Sequence, residues 1–460
     1  MASSVQPAAT ALAGIAHRGG KLLGPGIHAF SVVAFVLIVA FLVWGGSPYP
    51  YADDWMLVPY GTGETPVTFS WLWAQHVDHR IPIPKTLWVW SLWVSDMDFR
   101  SIMFLNAVAA FLANVFMLRA IAAYRGNLLP GDLVVPLVLL NPAFNIFQWG
   151  FYLQFMSSIT LGLLAMAFGC LQTAAPARGY GIAAAIVIFC LNGVGMNGTV
   201  LALILAPTLS ATVLVGRSVM LRWQFLAVQA VCGAAVLVAV YVIATWSPSD
   251  ASTQSEDAAG LLERIGALLQ AAFTMAVPRA WANSLLPQTV YLALGLAFSV
   301  LAGVFGIVSV FRFRRPGQIY LLGCLLAGGG VIGAIALGRA GFWSPGLEYH
   351  YGYFPVLTLM AAWMLVSCAA GIFWAVRVLS VVLLVVFGTM YVDGVRWGAT
   401  RAETRAAELS QIRADLEAGR PMEEIARDNI SVFWWKNTEE GIALMAKNLG
   451  LLQDRGYLRP

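Results

Sequence analysis

IHAFSVVAFVLIVAFLVWGGSPYPYADDW, residues 27 to 55, runs without Asp, Glu, Lys or Arg from Ile27 to Gly46 and then meets two adjacent acids, Asp53 and Asp54. A helix needs about 20 apolar residues to cross a hydrocarbon core, so Ile27 to Gly46 reads as a membrane span. Arg18 and Lys21 precede it, as in a signal peptide, but YPYADDW follows it in place of a small-residue cleavage site. The sequence predicts an uncleaved signal anchor, with the acid pair just beyond its far end.

The rest of the chain repeats the pattern. Of 460 residues, 59% are hydrophobic and 11% charged, less than half the roughly 25% charged share of a soluble domain. That composition excludes an ordinary water-soluble fold. The apolar runs are continuous and do not alternate, which excludes a β-barrel. Spans are expected at 27–46, 99–123, 131–147, 150–172, 180–195, 198–215, 223–246, 288–311, 318–338, 352–372 and 374–396. The predicted fold class is all-α and polytopic, with about 11 transmembrane helices. All the cysteines (Cys170, Cys190, Cys232, Cys324 and Cys368) lie in apolar runs, as buried small hydrophobes do.

Short cytoplasmic loops are enriched in Lys and Arg. With the N-terminus inside, the inner segments carry Arg18, Lys21, Arg119, Arg125, Arg178, Arg217, Arg222, Arg312, Arg314, Arg315 and Arg377 against one acid, Asp132. Most acids then fall outside. The expected organisation is a cytoplasmic tail (1–26), a transmembrane domain (27–396) with extracytoplasmic loops 47–98 and 247–287, and an extracytoplasmic helical tail (397–460). In the first loop, TFSWLWAQHVDH and KTLWVWSLWV are too short to span. They read as interfacial helices with Trp71, Trp73, Trp88, Trp90 and Trp93 at headgroup depth. A small net charge of +4 suggests no nucleic-acid partner.

Acids beside an apolar boundary are costly unless paired or used. Of Asp53 and Asp54, one can act as a general base while the other caps a helix starting near Trp55, holds a backbone amide or binds a metal. HVDHRIPIPK adds His76, Asp78, His79, Arg80 and Lys85. His79, Arg80 and Lys85 suit a phosphate or lipid headgroups. His76 and His79, three apart, can share a helical face and hold a divalent cation with Asp53 and Asp54. Gln148, Gln154 and Asn197 sit at the outer ends of spans with Asn141, Asn145 and Asn192, where amides bind sugar hydroxyls or, more commonly, join helices. Arg339, Glu348, His350 and Tyr351 follow the ninth span. There is no GxxxxGK[ST] and no GxSxG. The glycines of LAGGGVIGAIALG lie inside a span and read as helix-packing residues.

YADDW directly after the first span, DHRIPIPK, WGFYLQF and GRAGFW with EYHYGYF together resemble the GT-C superfamily of integral membrane glycosyltransferases, which includes protein O-mannosyltransferases and aminoarabinose transferases. The resemblance implies an inverting enzyme of a bacterial plasma membrane. Its donor would be a polyprenyl-phosphate-linked sugar, and its acceptor a cell-envelope glycan, lipid or protein. It also implies that the first-loop acid, Asp53, deprotonates the acceptor, with Asp54 the second choice. Cationic groups would stabilise the leaving phosphate. Members often carry Arg-Tyr where this chain has His350-Tyr351. The competing readings are a polysaccharide ligase or polymerase and a lipid or oligosaccharide transporter.

Overall fold

The computed structural model describes residues 6–76, 79–143, 149–216, 220–247, 316–339, 353–367, 373–433 and 438–458, with residues 300, 303–304 and 307–308. Helix α1 (Gln6–Gly45) leads into a 3-10 turn (Ala52–Leu57), short helices α2 (Val58–Gly61) and α3 (Phe69–Trp73), a hairpin of strands β1 (Gln75–His76) and β2 (His79–Arg80), and α4 (Pro82–Val94). The bundle follows as α5 (Arg100–Arg125), α6 (Val134–Leu139), α7 (Leu153–Ala174), α8 (Tyr180–Leu191), α9 (Met196–Val215), α10 (Arg222–Ala244), α11 (Pro316–Arg339), α12 (Val356–Ser367) and α13 (Phe373–Glu417). Helices α14 (Met422–Asp428), α15 (Ile430–Phe433) and α16 (Glu439–Asp454) close the chain.

Seven helices among the described residues are long and apolar enough to cross a membrane, at Gly24–Gly45, Arg100–Arg125, Gly150–Ala174, Met196–Val215, Arg222–Ala244, Pro316–Ile335 and Val376–Glu417. Three expected spans are shorter helices. The one expected over 131–147 stops at Leu139. Pro142 disfavours helix at Asn141, whose side chain accepts from the Ala143 amide and donates to the Met390 carbonyl. The one expected over 180–195 stops at Leu191, ahead of Gly195 at φ 111°. The one expected over 352–372 begins at Val356 behind Pro355. The span expected at 288–311 lies almost wholly outside the described residues.

The last span does not end where hydropathy falls. Helix α13 continues from Phe373 to Glu417, because no proline interrupts it and the polar stretch beyond Trp397 is rich in good helix formers. Its outer residues, with Val33, Val36 and Val43 of α1 and Leu237 and Val240 of α10, are large, apolar and exposed. Ribs of that kind suit lipid, since a soluble surface does not carry such continuous apolar area.

Between helices in lipid there is little hydrophobic driving force, so close approach rests on small residues. A methyl at Gly328 would lie 2.2 Å from Thr358 Oγ1 and 3.1 Å from the Thr358 amide, while one at Gly329 would meet nothing within 4 Å. Gly328→Ala is therefore expected to destabilise the α11–α12 contact by about 1–3 kcal/mol, with Gly329→Ala unchanged. Thermal unfolding of the two variants in detergent tests this, and equal melting would refute it.

At one end of the bundle, five helix ends meet the segment between α1 and α5. Gly46 abuts Arg100, Gly150 abuts Asp54, the Ile83 amide donates to the Gly193 carbonyl, and Arg80 donates to the Thr245 carbonyl. A second apolar core forms there. Tyr49, Trp55, Leu57, Val58, Trp88 and Phe151 pack with Leu409, Ile412, Ile425, Phe433, Met445 and Leu449. The end of α13 and the helices after it thus cover the segment that carries the acid pair.

Candidate functional site

The site is built on YPYADDW. Ala52 adopts a left-handed backbone, φ 50°, while fully buried. A non-glycine residue rarely takes that conformation, and such strain collects at functional sites. It turns the chain sharply into the 3-10 turn that displays the acids. Trp55 locks the turn from behind: its Nε1 donates to the Phe433 carbonyl at 3.1 Å, and its own carbonyl accepts from Asn448 Nδ2 at 3.1 Å. On the other flank Trp149 Nε1 donates to the Tyr51 carbonyl at 3.0 Å.

The two acids differ sharply. Asp54 is fully buried and its Oδ2 accepts from the Tyr51 amide at 3.4 Å, capping the turn. It faces Gly150, where a methyl would come within 3.2 Å of both carboxylate oxygens. Burial raises its pKa well above the usual carboxylate range, against the lowering pull of the amides of Tyr51, Gly150 and Phe151, with the Asp53 charge adding to the rise. Oδ1 has no hydrogen-bond partner. Asp53 is half-buried and makes no hydrogen bond or ion pair among the described residues. Burial alone pushes its pKa from 3.8 to about 6. A carboxyl that is reachable, unpartnered and titrating near neutrality matches a general base.

The basic segment differs from its expected form. His76 and His79 do not share a helical face; they sit opposite each other in the β1–β2 hairpin. The hairpin is fixed by its ends: Arg80 donates from Nη1 to the Trp73 carbonyl and from Nη2 to the Thr245 carbonyl, and Gln75 Nε2 donates to the Ser247 carbonyl at 2.5 Å. Pro82 then starts α4. Lys85, expected on a phosphate, is 4% exposed and donates to the Trp71 and Ala74 carbonyls at 2.7 and 2.8 Å. It closes the C-terminal end of α3, and burial lowers its pKa to about 8. Trp88 is buried rather than at headgroup depth, its Nε1 donating to the Gly150 carbonyl, whereas Trp90 and Trp93 are exposed.

His76 packs 5.1 Å from the Phe151 ring with its Nε2 unpartnered. Burial first, then the Lys85 and His79 charges, push its pKa down to about 4. A divalent cation held by Asp53, Asp54, His76 and His79 does not fit this arrangement. Asp54 is sealed against Gly150, and His76 feels the Lys85 ammonium. Among the described residues no three His, Cys, Asp or Glu side chains gather as a metal site.

Gln154, at the start of α7, is buried with Oε1 unpartnered, and Asn197 is buried at the start of α9. Asn192 instead joins helices, donating to the Ala235 carbonyl at 3.1 Å. Asp78, Asn145, Gln148, Glu348, His350, Tyr351 and the side chain of Arg339 lie outside the described residues. One cation against the Tyr51 ring was missed in the sequence. Arg405 of α13 is 4% exposed with its guanidinium 5.2 Å from the Tyr51 ring centroid. The signal was Arg401 and Arg405, one helical turn apart in the polar stretch beyond the last span.

The chain matches no family model, no curated protein and no solved structure.

Proposed function

We propose that the chain is an inverting membrane glycosyltransferase of GT-C type. It moves a sugar from a polyprenyl-phosphate donor to a cell-envelope acceptor on the extracytoplasmic face of a bacterial plasma membrane. The proposal includes about eleven spans, the N-terminus inside, α4 at the interface and the residues beyond Trp397 outside. The observation that carries it is the unpartnered, half-buried Asp53, raised to about 6 and displayed by a strained, capped turn just past the first apolar helix.

In the reaction, Asp53 takes the acceptor hydroxyl proton as the acceptor oxygen bonds to the anomeric carbon. The bond from that carbon to the phosphate oxygen breaks, and the polyprenyl phosphate leaves with the electron pair. The base must stand across the sugar from the leaving group, with positive charge on the far side. Asp54 holds the turn and does not exchange protons with substrate. Gln154, with an open acceptor, suits a sugar hydroxyl.

The test is purified full-length protein in nanodiscs, given a panel of radiolabelled polyprenyl-phosphate sugars and envelope extract. Release of polyprenyl phosphate with label moving to the acceptor is expected for one donor. No release from any donor, together with passage of intact donor across a liposome membrane, would replace the proposal with a transporter.

A further inference from the structure

We infer that Arg401 and Arg405 of α13 form the anion subsite of this chain and hold the phosphate of a prenyl-phosphate lipid beside Tyr51. This deepens the proposed function and rests on it. Arg405 is a built-in cation. Its Nη1 donates to the Val432 carbonyl at 3.0 Å and to Glu408 Oε2 at 3.2 Å, and among the described residues it makes no other hydrogen bond, which leaves Nη2 and Nε to donate. Its guanidinium carbon lies over the Tyr51 ring, 5.2 Å from the centroid. Arg401 is half-buried, makes no ion pair among the described residues and stands near enough to repel the Arg405 guanidinium. Glu408 pairs with Arg405 alone, so the Arg401 charge beside it is uncompensated among the described residues, the condition that a bound anion relieves.

Position selects the anion. Helix α13 crosses the end of α1 so closely that a methyl on Gly45 would meet the Ala402 Cα at 2.4 Å. Gly45 is the last residue of the first apolar helix, and Trp44 beside it is exposed as an interfacial anchor is. The arginines therefore sit within a helical turn of where that helix leaves the hydrocarbon, the depth of a lipid phosphate. Tyr51 joins the two halves of the site: Arg405 covers its ring, and its backbone caps the turn that displays Asp53.

Titration of nanodisc-held full-length protein with farnesyl phosphate tests the inference, farnesol serving as the phosphate-free probe. Arg401→Gln, a partly exposed site, is expected to weaken farnesyl phosphate about tenfold at unchanged melting temperature. Arg405→Lys keeps the charge, loses the planar fork and is expected to weaken it too, with farnesol unaffected by either. Unchanged farnesyl phosphate affinity in a folded Arg401→Gln variant overturns the assignment. Equal affinity for inorganic phosphate, or displacement of farnesyl phosphate by phosphatidylglycerol vesicles, overturns the lipid-linked source. Asp53→Asn is expected to bind farnesyl phosphate as the parent does. Farnesyl phosphate binding by a parent chain that transfers no sugar from any donor defeats the enzyme reading and not the subsite.

Discussion

Asp53→Asn is expected to lower sugar transfer by about 10²–10⁴-fold, the usual contribution of a positioned general base. The amide has nearly the carboxylate's shape but cannot take a proton. Asp54→Asn, which can still accept from the Tyr51 amide, is expected to keep most of the activity of the folded protein. With its pKa raised to about 6, Asp53 is mostly protonated at pH 5 and ionised at pH 7.5. The parent rate is thus expected to rise with pH and reach half its plateau near 6, a limb absent from Asp53→Asn. Stability runs the opposite way. A carboxyl whose folded-state pKa lies above its unfolded value holds its proton more tightly when folded, so stability falls as pH rises from 3.8 through 6. At pH 8 Asp53→Asn should be more stable than the parent by at most about 3 kcal/mol, less for the water that reaches the group. The gap should close below pH 4. A pH–rate profile and melting curves at pH 4 and 8 decide it. An Asp53→Asn enzyme at parental rate would dismiss the base, and one with no alkaline gain in stability would dismiss the burial that raises it.

Much of the bundle is legible in the sequence because lipid demands long unbroken apolar helices: α5, α7, α9, α10 and α11 begin and end close to their hydropathy limits, and α1 ends at its own. The acid pair is legible for the same reason, since charge beside a span is unusual enough to notice. What was not legible depends on contacts between distant residues. Nothing in QHVDHR announces that Arg80 and Gln75 reach the end of α10, yet those bonds help fix the hairpin in place of a helix. Hydropathy marks where the last span loses its apolar character at Trp397. It says nothing of α13 continuing as a rigid rod that brings Arg405 to Tyr51. The different burial of Asp53 and Asp54 follows from Gly150, a residue nearly a hundred positions away, whose missing side chain leaves room for one carboxyl.

Asp132→Ala is expected to be the most destabilising single change at the opposite end of the bundle. Asp132, the one acid expected among the basic inner segments, is fully buried, and each of its bonds ties down a different element. Its Oδ2 accepts from the Leu129 amide at 2.6 Å and from Arg125 Nη2 at the end of α5; its Oδ1 accepts from Trp363 Nε1 of α12 at 2.9 Å. Beneath it, a methyl at Gly131 would come within 2.6 Å of both the Trp363 ring and Ser380 Oγ of α13, so the joint leaves little room to relax. Removing the carboxyl leaves Arg125 nearly buried with the Asn127 carbonyl as its remaining partner among the described residues, and it strands the indole N–H. Breaking a buried pair from one side costs about 3–5 kcal/mol, mainly because the other charge is left uncompensated. Two comparisons separate that mechanism from simple loss of packing. Arg125→Met in the Asp132→Ala background should recover part of the loss, a coupling that a double-mutant cycle on melting in detergent measures directly. Any Asp132→Ala protein that remains folded should bind farnesyl phosphate as the parent does, because the joint lies at the far end of the helices from Tyr51. Additive losses in the cycle would mean that Arg125 and Asp132 act independently and that the acid is held there by the Trp363 and Leu129 bonds alone.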